Sequence, residues 1–536
     1  MSGTRSAHMV MGAAAIFAVA IMALFPNFTI DDAYITYRYA ENLALHGELT
    51  YNIGEPRVEG YTGVALPLLL AGAIKTGLPP DPVSKALGII SYFLCAFFLL
   101  QIGRRLRSDP VITAAVVALY LTMPLGFTHA LAGLETTLFS ASVAGVLLML
   151  IVCLQDHDGH PGRETLFLLS LVFASLVRPE GMVLAGLAVG ALAARRWSLN
   201  HHNAILFAAR ALAVFILPLG LYLLWKWDYF GCLLPNSYYA KLSAGPNEDS
   251  INDLRIFWRR YMSFATFAAL VLWIPPALTL PGRDRTKQRN AFDTTDALVV
   301  GAVVLFHVAV ALQYARSQLT MNYSYRFSMH MYPAFLIGLL VVADRGRRNL
   351  RQLATRSRRS VVFVCGMALL VTLMQVYRHM EHLAGEFRWA NQYGHLIHDE
   401  HIPAGEFLRE MVPTDEWLVV HLDAGTIPYC SRLKTVDLGK LNDPHLARNN
   451  LTDEATVQYA FDHHPGAWAV KSRASESLEG SGLTDAITSD VRFSDYALVR
   501  KFASLSNPTY YQFIYLRKDL CHPVVSPISG AANATP

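Results

Sequence analysis

Charge is what this sequence has least of. Only 16% of its 536 residues are Asp, Glu, Lys or Arg, while 53% are apolar; a soluble domain carries about 25% charged residues. A chain so poor in charge is not disordered, because it has ample apolar surface to bury. Cysteine is sparse as well. Six residues without metal-like spacing exclude a disulfide-dense scaffold and form no metal cluster; a divalent ion between outer carboxylates is possible without being predicted, and the residues commit to no cofactor. The net charge of +4 is small and its basic residues gather at segment ends, so nucleic acid is not an expected partner. What remains are long apolar runs, among them 9–25, 86–101, 111–125 and 138–154. They exclude an ordinary cytosolic enzyme and leave a polytopic α-helical membrane protein whose solvent is the lipid bilayer.

A bilayer core needs about 20 apolar residues per helix. That ruler predicts eleven spans, near 9–26, 84–101, 110–126, 136–154, 165–178, 181–195, 205–225, 263–281, 297–313, 328–344 and 360–376. The apolar tract 64–74 is shorter. Arg5, Arg104, Arg105, Arg107, Arg195, Arg196 and the basic stretches 283–289 and 345–359 share one side only if that tract does not cross. The positive-inside rule therefore makes it re-entrant or interfacial, with the N-terminus cytoplasmic and the C-terminus outside. A signal peptide would also begin with Arg5 and an apolar run, but no small-residue cleavage site precedes Asp31, and a retained first helix is expected. The expected organisation is a transmembrane domain over 1–379, with a first outer loop and interfacial helices over 27–83. A soluble extracytoplasmic α/β domain over 380–525 and a disordered tail over 526–536 follow.

With this topology the cytoplasmic loops are short and basic, and the chemically varied loops all lie outside. The first contains Asp31-Asp32-Ala33-Tyr34-Ile35 and continues through Arg38, Glu59 and Tyr61. Adjacent carboxylates at a membrane surface are costly unless used or paired, although either could simply cap a helix. Aromatics, carboxylates and glycines mixed in this way suit a sugar site. Glu135 precedes a span, and Arg178-Pro179-Glu180 forms a tight turn in which an ion pair or a cavity would satisfy both charges. Two further loops place Asn236, Tyr239 and Lys241, then Arg326, at the outer face. A lysine there can hold phosphate as a point charge and an arginine can hold it bidentately, or both can snorkel to headgroups. The spans carry few ionisable groups, His307 being the main exception. Ion-coupled transporters need midplane charges and inverted repeats, so an enzyme working at the membrane surface on a lipid-linked substrate fits better.

In order along the chain, Asp31-Asp32-Ala33-Tyr34-Ile35, Val58-Glu59-Gly60-Tyr61-Thr62, Gly133-Leu134-Glu135-Thr136, Arg178-Pro179-Glu180-Gly181, 234–241, Tyr325-Arg326-Phe327 and 423–429 resemble the GT-C class of polyprenyl-phosphate-sugar-dependent glycosyltransferases. Within it the chain is similar to the mycobacterial terminal β-(1→2) arabinofuranosyltransferases and the pilin arabinosyltransferases. It departs from them at Gly63-Val64-Ala65-Leu66-Pro67 and at Gln318-Leu319-Thr320-Met321-Asn322, which lacks their Gly-Gly-Asp.

The resemblance implies an inverting transferase of a bacterial inner membrane, taking a pentose from a polyprenyl-phosphate donor to an acceptor polysaccharide or glycoprotein on the extracytoplasmic face. Phosphate leaves readily, so the demand falls on a general base and on cations that hold the departing charge. Asp31 or Asp32 is the expected base. Lys241, Arg326 and Arg178 are expected at the phosphate. Tyr34, Arg38, Glu59, Tyr61, Glu135, Glu180, Asn236, Tyr239 and Asp423 are expected at the sugar or acceptor. A lipid-linked sugar flippase is one rival reading. A membrane-anchored binding protein, which deletion of 381–536 should inactivate, is another. In the outer domain 417–422, 467–470, 496–499 and 511–516 read as strands, 405–411 as helix, and a Cys430–Cys521 disulfide is permitted.

Overall fold

The computed structural model describes residues 2–521 except 26–27, 243–244, 268–293, 355–357, 450, 481, 505 and 508. Nine helices make up the N-terminal part: α1 (Ser2–Leu24), α2 (Asp31–His46), α3 (Ala65–Lys75), α4 (Pro80–Arg105), α5 (Pro110–Leu121), α6 (Pro124–Leu131), α7 (Thr136–Gln155), α8 (Pro161–Val177) and α9 (Glu180–Leu199). Proline in the first turn of α4, α5, α6 and α8 starts each where its missing N–H costs nothing. Among the described residues six helices are long and apolar enough to cross a bilayer: Thr4–Leu24, Pro80–Arg105, Thr136–Gln155, Glu180–Leu199, His201–Phe230 and Thr294–Tyr314. The α5–α6 pair, bent by 53°, makes a seventh. Helices also stand at three other expected places, as α8, Met331–Ala354 and Arg358–Leu396. The expected span 263–281 lies mainly outside the described residues. The tract 64–74 forms α3, whose 11 residues reach only about 16 Å at 1.5 Å each, too short to cross.

The helix Arg358–Leu396 is 39 residues long and runs past 379, the expected end of the membrane part. Nothing in its sequence stops it, since no proline occurs until Pro403. The sheet that follows has order β2-β1-β3-β5-β4, built from β1 (Trp417–Val420), β2 (Lys434–Asp437), β3 (Ala467–Ser472), β4 (Tyr496–Ala503) and β5 (Tyr511–Arg517). β1 lies parallel to β2 and β3, while β5 is antiparallel to β3 and β4. Four strands stand at the segments expected as strands; β2 is additional. Side chains alternate between two cores. Leu418, Val420, Ala469, Ile514 and Leu516 pack with Leu408 and with Ile35, Tyr39 and Tyr61 of the N-terminal part. Val419, Trp468 and Val470 pack the other way, on Val457, Phe461 and Ile487. Cys430 and Cys521 are both free, so the permitted disulfide is not formed.

One face of the sheet is thus shared with the membrane part, and polar clamps fix the joint. Arg38 donates from Nε to the Tyr51 carbonyl and from Nη1 and Nη2 to the carbonyls of Pro428 and Leu433, at 2.6–2.7 Å. Asn236 Nδ2 donates to the carbonyls of Lys440, Leu441 and Asp443. Both residues were expected at the sugar or acceptor; instead two Arg38 nitrogens and the Asn236 amide nitrogen are engaged by backbone of the sheet domain. Gly425 closes the joint. A Cβ there would sit 1.9 Å from the Asp31 carbonyl oxygen, whereas one at Gly385 would meet nothing within 4 Å. Gly425→Ala is expected to cost at least about 2 kcal/mol through overpacking against backbone, and Gly385→Ala, inside a helix with open space around it, to stabilise by about 0.5–1 kcal/mol. Thermal unfolding in detergent checks this; equal melting temperatures for the two variants would refute the account.

Candidate active site

Helix α2 begins at Asp31 and ends at Gly47, whose φ of 75° is the left-handed cap that glycine adopts without strain. Both carboxylates occupy its first turn, where the helix dipole favours them. The capping residue is Ile30, and neither aspartate caps α2. Successive helical residues diverge by about 100°, so the two side chains point to different places. Asp31 is 2% exposed and faces the outer domain. Its carboxylate accepts N–H bonds from Gly425 (2.9 Å) and Thr426 (2.8 Å), the start of the helix Thr426–Ser431. It caps a helix after all, one 394 residues away.

His401 Nδ1 lies 3.5 Å from Asp31, and its Nε2 lies 3.9 Å from Asp423. Asp423 also accepts from Tyr510 (2.5 Å) and Gln512. Burial alone would raise the Asp31 pKa; His401 and the Thr426 N–H more than reverse that and hold it low. Burial disfavours a charged His401, but Asp423 and Asp31 outweigh it and lift the imidazole to about 9. Burial also pushes neighbouring Glu400 up to about 8.

Asp32 faces the other way. Its side chain is 14% exposed and pairs with Arg326 Nη2 at 2.7 Å. With Ile35 and Thr36, one turn on, it lines a narrow cavity of about 40 Å³ whose walls include Tyr61, Glu135, Arg178, Lys241, Arg326 and Phe327. Arg178 is buried and paired twice, to Glu135 (2.8 Å) and Glu180 (3.1 Å), and the Tyr314 hydroxyl donates to Glu180. The turn 178–180 therefore satisfies its charges by pairing while also forming cavity wall.

Arg326 Nη1 donates to Tyr323 (2.6 Å), and its guanidinium lies over the Tyr323 and Phe327 rings, 4.8 and 4.6 Å from their centroids. The loop that presents it holds Ser324 and Tyr325 at φ of 48° and 51°, a strain of about 1–3 kcal/mol each. Ser324 is held there by bonds to Glu386 and His129. Lys241 lines the cavity with no carboxylate ion pair among the described residues; its nearest ring is Phe327. Burial and then Arg326 draw its amine down to about 7. Its carbonyl accepts from Gln318 N–H at 2.7 Å, which stitches the loops of the two cations together.

A second cavity of about 400 Å³ shares Thr62, Arg178, Ser237, Lys241 and Phe327 with the first. Its remaining wall is mostly apolar: Pro179, Met182, Leu234, Pro235, Tyr238, Tyr314 and Leu319. A polar chamber opening on an apolar groove accepts a ligand with a charged head and a hydrocarbon tail.

Of the expected site residues, Asp32, Tyr61, Glu135, Arg178, Lys241 and Arg326 meet at the polar cavity and Glu180 at the groove. Glu59 lies behind it, buried against Lys226 at 2.7 Å, with burial raising its pKa to about 7. Tyr34 meets Tyr37 edge to face and Tyr429 at a tilt, Tyr239 lies under Arg448, and Asp423 belongs to the His401 cluster. None of these last three lines either cavity. Sequence reasoning missed Thr62, Ser237, Tyr314, Tyr323 and Phe327, although all lie within or beside the motifs or at a span end, and it missed His401 altogether.

Residues 388–515 match a family described as a domain of unknown function, DUF8728. No curated protein sequence matches the chain. Among solved structures, ArnT from Cupriavidus metallidurans bound to undecaprenyl phosphate is similar over 97% of this chain and 99% of that one, at 12% identity and a TM-score of 0.58. Its apo state is similar over 96% and 98%, at 15% identity and 0.58. The archaeal oligosaccharyltransferase AglB from Archaeoglobus fulgidus, in complex with an inhibitory peptide and a dolichol-phosphate, is similar over 86% of this chain and 69% of that one, at 12% identity and 0.54. The fold is GT-C, with a C-terminal sheet domain.

The oppositely shifted groups at the joint set a pH window. Asp31, depressed in the folded state, stabilises it above its ordinary range near 4 and loses that as pH falls through its folded value. His401, raised from 6.5 to about 9, contributes fully below pH 6.5 and loses its contribution as pH rises through about 9. Glu400 ionises over the same alkaline range, and Asp31, Asp423, Lys471 and the Tyr510 ring complete the surroundings. The melting temperature is expected to fall between pH 6.5 and 9.5, with His401→Gln lowering the value at pH 6.5 and flattening most of that fall. A wild-type curve level across this range would contradict the assignment.

Proposed function

We propose that this protein is a membrane glycosyltransferase that moves a sugar from a polyprenyl-phosphate donor to an acceptor hydroxyl at the extracytoplasmic face. The observation that carries the reading is one cavity in which Asp32, Lys241 and Arg326 converge beside an apolar groove. Its GT-C neighbours support it, since one holds undecaprenyl phosphate and another dolichol-phosphate. The seven-motif resemblance supports a pentose, arabinofuranose, as the sugar, and a polysaccharide or glycoprotein as the acceptor. The placing of basic loops inside and this cavity outside supports an inner-membrane protein with an extracytoplasmic C-terminal domain.

In this reading the donor's prenyl chain occupies the groove and its phosphate meets Lys241 and Arg326. Asp32 takes the proton of the acceptor hydroxyl as that oxygen attacks the anomeric carbon. The new C–O bond forms as the bond from that carbon to the phosphate oxygen breaks, with inversion, and the electron pair leaves on polyprenyl phosphate. Lys241 and Arg326 stabilise the charge gained there. Asp31 and Arg178 are positioning residues: the first is consumed by the outer domain, the second by two glutamates. Glu135 and Tyr61 remain on the wall as sugar or acceptor contacts.

Turnover of lipid-linked arabinofuranose onto an arabinan acceptor tests the reading. Asp32→Asn is expected to lower kcat by about 10²–10⁴-fold, and Lys241→Met to raise KM for the donor with a smaller effect on kcat. Asp31→Asn should lower the melting temperature more than it lowers kcat. Wild-type turnover in the Asp32 variant would remove it as the base.

A further inference from the structure

The three cations of the cavity differ in how far their valence is already spent. Arg178 has two carboxylates and a closed set of bonds. Lys241 has no carboxylate partner among the described residues. Arg326 is intermediate: Nη1 is taken by Tyr323, Nη2 by Asp32, and Nε is buried with no partner. An anion entering between Lys241 and Arg326 therefore meets a guanidinium edge that is half free and half occupied by the carboxylate expected to act as base.

Resting on the function proposed above, we infer that Arg326 exchanges partners during the cycle: the donor phosphate displaces Asp32 from it, so the base is released only when donor is bound. Arg326 cannot follow Asp32, because two rings hold its guanidinium plane and the strained turn at Ser324 and Tyr325 fixes its backbone. The Asp32 backbone cannot follow Arg326 either, since the adjoining Asp31 is bound to Gly425 and Thr426 of the outer domain. What can move is the Asp32 side chain, which is partly exposed and lines open space. The exchange keeps Arg326 neutralised, with a phosphodiester monoanion in place of a carboxylate, and leaves Asp32 without a guanidinium. A carboxylate so released is a stronger base than one held in an ion pair. Donor then binds before acceptor, and the empty enzyme holds its base masked.

The test is the affinity of purified full-length protein for polyprenyl phosphate, used as the probe in detergent micelles at fixed salt. If Asp32 competes with phosphate for Arg326, removing its charge strengthens binding even as it abolishes turnover. Asp32→Asn and Asp32→Ser are each expected to bind at least about fivefold tighter than wild type. In an Arg326→Gln background, itself weaker than wild type, the same changes should leave affinity unaltered within about twofold. Equal or weaker binding by both Asp32 variants overturns the exchange. So does a gain that survives in the Arg326→Gln background, because Asp32 would then act only as a nearby charge. If wild type and all variants fail to bind polyprenyl phosphate, the donor reading itself falls and the exchange with it; a separate failure of the exchange leaves wild-type binding intact.

Discussion

The structure depends on how one buried carboxylate is satisfied. Asp31 stands at the first residue of α2, yet its bonds go to Gly425 and Thr426 and its counter-charge is His401. A carboxylate buried without partners would take up a proton or unfold its surroundings; with two backbone N–H groups and an imidazolium it becomes a rivet between two domains. Bonds of this kind to a charged group contribute about 1.5–3 kcal/mol each. They also set a direction. With Asp31 committed to the outer domain, the pitch of α2 turns Asp32, Ile35 and Thr36 toward the cavity. Where Asp32 stands is thus a consequence of where the sheet domain docks.

Electrostatics inside the cavity follow from a near balance. Asp32, Glu135 and Glu180 face Arg178, Arg326 and Lys241, and the pairs differ in depth and commitment. The Arg178 group is buried, doubly bridged and rigid, the condition under which breaking one partner is costly. It serves as fixed wall. The Asp32–Arg326 pair is shallower and its aspartate side chain borders open space, so it can be remade. Lys241, whose amine burial and Arg326 bring to about 7, gains a proton readily once an anion arrives. Fixed and exchangeable charges share one small volume, and the division follows burial.

Much of this was legible in sequence, and the part that was not has a common cause. Apolar length located the helices, and short β-branched and aromatic runs located four strands. The motifs at 31–35, 58–62, 133–136, 178–181, 234–241 and 325–327 supplied nearly every charged wall residue. Which aspartate faces the cavity was not legible, because the decision is made by Gly425 and His401, hundreds of residues away. The same holds for Arg38 and Asn236, which look like ligand contacts until the carbonyls of 428–443 are placed around them. β2 escaped because Lys434–Asp437 is charged at both ends and holds a single aliphatic residue, so it lacks the apolar run that marks the equally short β1. The helix Arg358–Leu396 overran its expected end because hydropathy marks where a membrane stops, which is not where a helix must.

The riveted joint also bears on how the enzyme and binding-module readings can be told apart. Deleting 381–536 looks like a test of whether the outer domain alone does the work. It is not, because the deletion strips Asp31 of both N–H donors and of His401, and removes the carbonyls that hold Arg38 and Asn236. A carboxylate and a guanidinium would be left buried in a half-joint, and loss of function would follow under either reading. The two readings separate only at side chains that touch the cavity and not the joint. Asp32, Lys241 and Arg326 meet that condition; Asp31, Arg38, Asn236 and Asp423 do not. The transferase reading proposed above gives each of these side chains a task, proton transfer for Asp32 and holding phosphate for Arg326 and Lys241; the binding-module reading gives them none.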